Sequence, residues 1–216
     1  KNLMTAYGKD RDEAHSDTEL QKLQYLLSRL QTSRFRRLDI VCHSMGNYLF
    51  KSFVDRFNAE ELRHCLANSQ IVSFAADVDA NRFANAVKKC QDSVPNLQWT
   101  HYFNTHDLAL SASRFMHLSP WRARAGQQAI SDSTLTCITS IRCDVNLGES
   151  LIHRGLKWLY SHWKGKVLET HSYIQRDEVL NDLEQLIIGG VVDPSQRRGL
   201  VAEEERAWKL ILQNKK

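Results

Sequence analysis

The fold is decided by the stretch IVCHSMGNYLF, residues 40–50. Two β-branched residues lead through Cys42 and His43 to Ser44, and aromatic and aliphatic residues then recur at helical spacing. The pattern predicts a short apolar strand that turns into a helix at a serine. Two interpretations of Ser44 stay open: a nucleophile held on a sharp strand-to-helix turn, or the N-cap of an ordinary helix.

The composition is that of an ordinary globular domain. The 216 residues are 42% hydrophobic and 25% charged, which suffices for one sizeable α/β domain. The formal net charge of +4 is mild and the basic residues are scattered, so the basic stripe of a nucleic-acid-binding protein is missing. Because no uninterrupted apolar run approaches the length of a bilayer span, we expect no transmembrane segment.

The five cysteines are odd in number and widely spaced, which favours free buried thiols in a reducing compartment over a disulfide framework. The chain opens on Lys1 rather than methionine, and its first residues lack the pattern of a signal peptide. We therefore expect a cytoplasmic protein. A starting methionine and any targeting signal would lie upstream of Lys1. The cysteines are Cys42, Cys65, Cys90, Cys137 and Cys143.

Strand and helix patterns alternate along the chain. Alternation predicts a mostly parallel sheet of about four strands with helices on both faces. We expect a single α/β domain over residues 1–216, in which residues 191–216 form a terminal helical extension. The predicted strands are 36–42, 69–79, 96–107 and 134–146, and the predicted helices are 16–30, 44 onward, 80–90, 108–117, 149–163, 176–187 and 202–212.

A serine hydroxyl is a poor nucleophile near neutral pH and needs a histidine base that a carboxylate orients. On α/β-hydrolase folds the chain order is serine, acid, histidine, each after a strand. Asp107 ends the third predicted strand and His171 follows the fourth, which supplies that order after Ser44. Asp77 and Asp79, after the preceding strand, are the rival acids.

Each candidate also has a plain structural interpretation. Asp107 would serve as a helix cap and His171 as a surface or capping histidine. His153 and His162 also follow the fourth strand, but both lie inside a helical pattern. His43, beside the serine, is expected to point away from it and to pack or to bond backbone.

The sequence predicts no metal site and no cofactor. Asp77, Asp79 and Asn81 alternate like the first ligands of a calcium loop, but Arg82 and Lys88 stand where that loop needs glycine and glutamate. His101 and His106 are five apart, which is not the helical i, i+4 spacing, and they are not paired with other ligands at zinc spacing. A glycine-rich phosphate loop is also missing.

Four segments stand in order along the chain: CHSMGN (42–47), AADVDANRF (75–83), NTHDLALSAS (104–113) and THSY (170–173). Together they resemble a bacterial α/β-hydrolase family catalogued as a domain of unknown function. The resemblance covers roughly residues 5–190, and Cys42 stands where the familiar elbow pattern has glycine. Cys42 and Gly46 are the small residues that would let strand and helix approach closely.

The resemblance implies an α/β-hydrolase fold and a triad of Ser44, Asp107 and His171. The expected reaction is acyl hydrolysis of a small ester or a related carbonyl substrate, with the backbone N–H of Met45 binding the oxyanion. The family carries no settled substrate. The alternative is a non-catalytic or fragmentary hydrolase-fold module that serves interaction.

The resemblance also implies strands before the serine strand, yet only 37 residues precede Leu38. We therefore expect the early strands to be lacking, together with the loop that supplies a second oxyanion N–H. Losing one such donor costs roughly a hundred- to a thousand-fold in turnover. The serine strand would then have an unpaired edge, and we expect weak esterase activity and self-association through that edge.

Overall fold

The computed structural model describes residues 8–9, 11–33, 35–116, 122–144, 170–204 and 207–211. Six α-helices and six strands lie within these ranges. The helices are α1 (Asp17–Gln31), α2 (Met45–Arg56), α3 (Ala59–Leu66), α4 (Ala80–Ser93), α5 (Leu108–Met116) and α6 (Asp177–Ile187). The strands are β1 (Leu38–His43), β2 (Ser69–Phe74), β3 (Gln98–Phe103), β4 (Ile138–Arg142), β5 (Leu200–Glu204) and β6 (Ala207–Leu210).

The strands form one sheet in the order β1-β2-β3-β4-β6-β5. Every neighbouring pair is parallel except β5 and β6, which are antiparallel. The predicted α/β fold with a mostly parallel sheet is confirmed, although the sheet has six strands rather than about four. In the described sheet β1 is an edge strand. The turn at Ser44 follows β1, so it lies at the carboxyl end of an edge strand.

Helices cover both faces of the sheet, as predicted. Side chains of adjacent strand residues point to opposite faces, and Ile71 and Val72 of β2 belong to two different buried clusters. The cluster around Ile71 includes residues of α1, α2, α3 and α4, whereas the cluster around Val72 includes Val179 and Leu186 of α6. The core is thus two apolar layers separated by the sheet.

The prediction of a helix at the end of the chain is wrong. The segment predicted as a helix over 202–212 instead contributes to the hairpin of β5 and β6, and β6 pairs in parallel with β4. Ala, Glu, Lys and Leu favour a helix intrinsically, but a free edge of the sheet overrides that preference when the strand can pair there. The helix predicted over 149–163 lies outside the described residues.

Helix α3 was not predicted, although its start carries a clear signal. Asn58 caps it and Glu61 bonds back to the Asn58 backbone, which is a capping box. All five cysteines are buried free thiols, as expected. Within the described ranges, no helix combines the length and the apolar character that a bilayer crossing requires.

Candidate active site

Ser44 lies on a strained turn between β1 and α2. Its backbone has φ 50° and ψ −119°, a region that non-glycine residues rarely adopt and that costs about 1–3 kcal/mol. Its N–H donates to the carbonyl of Phe74 at 3.0 Å, which continues the ladder between β1 and β2 past the end of the strand. Its side chain makes no capping bond to α2, so it does not act as a side-chain cap. Ser44 is half-buried, which leaves part of it open to a reactant.

Asn47 holds this turn, and sequence reasoning did not single it out. Its side-chain Nδ2 donates to the carbonyls of Phe74 at 3.0 Å and Cys42 at 3.2 Å, and the residue is buried. One amide therefore joins the ends of β1 and β2 on either side of Ser44. A strained backbone persists only where its surroundings fix it, and Asn47 supplies part of that restraint.

Gly46 plays a smaller steric part than expected. A Cβ added there would meet nothing within 4 Å among the described residues, apart from the backbone of its own helix. The described neighbours therefore do not require glycine for strand and helix to approach. Cys42 is buried, and burial raises the pKa of its thiol to about 12, so it packs as a small apolar residue rather than as a nucleophile.

Asp107 and His171 are joined directly. His171 Nδ1 lies 2.8 Å from Asp107 Oδ2, and the Asp107 side chain is fully buried. Asp107 Oδ1 accepts the backbone N–H of Leu110 at 3.0 Å, so the same carboxylate also caps α5. The same carboxylate therefore caps α5 and contacts His171. Because an ionised carboxylate only accepts, Nδ1 of His171 carries the hydrogen and Nε2 is left as the basic nitrogen.

Residues 170–173 run from two helical residues, 170 and 171, into a 3-10 helix that begins at Tyr173. This segment, named the histidine loop, is fixed to two strand ends. Asn104, after β3, donates its Nδ2 to the carbonyl of Thr170 at 2.8 Å. The buried Tyr173 hydroxyl accepts from the N–H of Ala75 at 2.7 Å and donates to the carbonyl of Tyr102 at 2.7 Å. These bonds tie the loop to the ends of β2 and β3. His171 is thereby presented from a loop whose backbone is well anchored.

His43 adds an anchor from β1. Its Nε2 lies 3.2 Å from the carbonyl oxygen of His171, and the two imidazole rings meet edge to face with centroids 5.0 Å apart. Burial lowers the pKa of His43, which favours the neutral ring. The expected backbone bond of His43 is found, but it goes to His171, a partner that sequence reasoning missed.

The first 140 residues match the family model described as alpha/beta hydrolase of unknown function (DUF900). The chain belongs to this alpha/beta hydrolase family. The match covers residues 1–140, which include Ser44 and Asp107, and it ends well before the expected limit near residue 190. His171 lies beyond it, so its place beside Asp107 rests on the geometry alone. No curated protein and no solved structure matches the chain.

The two rival acids have other partners. Asp77 Oδ1 lies 3.3 Å from Nε of the buried Arg124 and accepts the hydroxyl of Ser113 at 2.7 Å. Asp79 caps α4 by accepting the N–H of Arg82 at 3.1 Å. These contacts favour Asp107 as the acid that faces a histidine.

The remaining predicted residues are placed as follows. Met45 is the first residue of α2, so its N–H belongs to the helix start, where the first N–H groups have no partner inside the helix. His153 and His162 lie outside the described residues. Within the described ranges, no group of three or more histidine, cysteine or acidic side chains could hold a metal ion.

Proposed function

We propose that this protein is a serine hydrolase that cleaves carboxylic esters by acyl transfer, with Ser44, His171 and Asp107 as its triad. The observation that carries the proposal is the 2.8 Å bond between His171 Nδ1 and Asp107 Oδ2. Asp107 follows β3, and Ser44 follows β1 on a strained turn, so both residues lie at the carboxyl end of the parallel strands. The carboxylate fixes the ring in the tautomer that a general base needs.

In the acylation step, Ser44 Oγ attacks the ester carbonyl carbon while His171 Nε2 takes the hydroxyl proton. Asp107 stabilises the imidazolium that forms and does not itself accept the proton. The carbonyl oxygen becomes an oxyanion, and we expect the N–H of Met45 at the start of α2 to bind it. The intermediate then collapses: the ester C–O bond breaks, and the alcohol leaves with the proton from His171.

Deacylation repeats the sequence with water. His171 takes a proton from the water, the resulting oxygen attacks the acyl carbon, and the bond to Ser44 Oγ breaks. Ser44 regains its proton from His171, and the carboxylic acid is released. No external oxidant, metal or cofactor enters this balance.

A fluorophosphonate probe tests the proposal, because it phosphonylates only an activated serine. We expect stoichiometric labelling that mass spectrometry places on Ser44, and loss of labelling in Ser44→Ala and in His171→Ala. Ser33→Ala, which removes an exposed serine at the end of α1, is the matched control and should label as the wild type does. A panel of nitrophenyl esters of graded chain length would then give the acyl preference.

Absence of labelling in the folded wild-type protein would overturn the proposal. It would favour the alternative, a hydrolase-fold module without catalysis. Labelling at a serine other than Ser44 would keep a serine hydrolase but refute the assignment of its nucleophile.

A further inference from the structure

One histidine connects the strand that carries the proposed nucleophile with the loop that carries the proposed base. We infer that His43 is a positioning residue that sets the distance between Ser44 and His171. The inference rests on the proposed function, since it names a determinant of the same site. His43 itself has no part in the proton transfers of the mechanism.

The contact is specific to the backbone of the base. His43 is joined to Ser44 by a peptide bond, and its ring Nε2 lies 3.2 Å from the main-chain oxygen of His171. A carbonyl oxygen only accepts hydrogen bonds, so Nε2 of His43 must carry the hydrogen and donate it. One hydrogen bond therefore links the residue next to the nucleophile with the main chain of the base.

The other anchors of the histidine loop come from different strands. Asn104 holds it from the end of β3, and Tyr173 joins it to the ends of both β2 and β3. Asp107, which orients the ring, also follows β3. These contacts fix His171 relative to β2 and β3, whereas the contact from His43 fixes it relative to β1 and hence to Ser44.

The ring of His43 also packs beside the ring of His171. The two rings are nearly perpendicular, with 65° between their planes and 5.0 Å between their centroids. Removal of the His43 ring would therefore remove a hydrogen bond and leave space into which His171 could shift. A displacement of about 1 Å in a reacting group can cost about a hundred-fold in rate.

The test compares His43→Leu with His43→Gln in the full chain. Leucine fills much of the volume but cannot donate, whereas the glutamine amide retains a donor near the position of Nε2. We expect His43→Leu to lower kcat for a nitrophenyl ester and the rate of fluorophosphonate labelling by about a hundred-fold, with KM changed less than threefold. His43→Gln should recover at least a tenth of the wild-type kcat.

A spectroscopic measurement separates positioning from general damage. The proton that His171 Nδ1 shares with Asp107 should give a low-field NMR resonance, and that resonance should persist in His43→Leu because β3 and the histidine loop still hold the pair. His64→Leu, on the exposed surface of α3, is the control histidine and should leave kcat and labelling unchanged.

The outcomes are distinguishable. If wild-type protein labels at Ser44 and His43→Leu labels at the same rate, the positioning role is refuted and the proposed function stands. If His43→Leu is slow and His43→Gln is equally slow, the donor is not what matters, and the inference is again refuted. If the low-field resonance disappears in His43→Leu, His43 acts by holding the fold of the site and not the distance to Ser44. If wild-type protein does not label, the proposed function fails, and this inference with it.

Discussion

The carboxyl ends of β2 and β3 each lead to a buried aspartate, and the two aspartates differ in what they contact. Asp77, after β2, is 3% exposed and pairs with Arg124; Asp107, after β3, is fully buried and pairs with His171. Both residues are aspartates, both are buried, and both follow the carboxyl end of a parallel strand. Only the partner differs.

The difference teaches that the partner decides what a buried carboxylate can do. A guanidinium stays charged at every pH a protein meets, so Asp77 and Arg124 form a fixed pair with no proton to exchange. An imidazole gains and loses its proton near neutral pH, so Asp107 can stabilise a charge that appears and disappears during a reaction. The first pair is suited to structure and the second to catalysis.

A turn over residues 124–127 connects the two aspartates. Arg124 pairs with Asp77, and Gln127 donates its side-chain amide to the carbonyl of Asp107 at 3.0 Å. Gly126 lies between them, where a Cβ would come within 2.4 Å of the backbone nitrogen of Ala76. The turn is thus pressed against the end of β2 and contacts both aspartates.

Among the substitutions that test this contrast between the two aspartates, Asp107→Asn should have the largest effect on turnover. We expect kcat for ester hydrolysis to fall about ten-thousand-fold, because asparagine no longer fixes the His171 tautomer or stabilises its charged form. The asparagine oxygen can still cap α5, so the thermal midpoint should change little. Steady-state kinetics and a melting curve check both parts. A fall of less than ten-fold would contradict the assignment of the acid.

Asp77→Asn should affect stability rather than turnover. Removing one charge of a buried pair leaves Arg124 uncompensated, which costs about 3–5 kcal/mol of unfolding free energy. Urea unfolding measures this loss, and kcat of the remaining folded protein should stay within a few-fold of wild type. If Asp77→Asn abolishes turnover while Asp107→Asn is mild, the roles of the two aspartates are reversed.

The next effect is a dependence of stability on pH. His101 on β3 is buried, its Nε2 donates to the carbonyl of Ala125 at 3.0 Å, and burial lowers its pKa to about 4. In the unfolded chain a histidine binds its proton near pH 6.5. The unfolded state therefore gains a proton first as the pH falls, and stability is lost between about pH 6.5 and 4, by about 3 kcal/mol in all.

The matched variant for this prediction is His101→Gln, which keeps a donor but does not titrate. Its unfolding free energy, measured in urea across this pH window, should depend less steeply on pH than that of the wild type. Parallel curves for the two proteins would show that His101 does not titrate as its burial implies.

The smallest expected effect belongs to the third aspartate of the region. Asp79 caps α4, and Asp79→Ala should lower the unfolding free energy by about 1 kcal/mol with turnover unchanged. The same urea and ester assays serve here. A loss of turnover in Asp79→Ala would mean that the segment after β2 takes part in catalysis, against the contrast drawn between the two buried aspartates.

The parts that sequence reasoning predicted are those set by local patterns. The strand-to-helix turn at Ser44 follows from an apolar run that changes from strand to helical spacing, and the structure places it there. The predicted α6 over 176–187 corresponds to Asp177–Ile187, since its apolar residues recur at helical spacing. The proximity of His171 to Asp107 was implied by the family resemblance and by chain order, not by any local signal.

The parts that sequence reasoning missed depend on contacts between distant segments. The hairpin of β5 and β6 carries helix-forming residues and becomes strand because β4 offers an edge. The ion pair of Asp77 with Arg124 joins residues far apart in the chain, so no local pattern excluded Asp77 as the acid. The bond from His43 to His171 spans 128 residues and has the same character.

The pairing of β6 with β4 has a consequence for synthesis. Strand β4 leaves the ribosome well before β6, and translation adds about 5–20 residues per second. For a matter of seconds β4 lacks its β6 neighbour and presents the unpaired N–H and C=O groups that recruit another strand. The length of chain between β4 and β6 adds little to the free energy of the finished fold. The entropic cost of bringing two chain segments together grows only with the logarithm of the length between them. The nascent chain can therefore pair with a second copy through β4 during that interval.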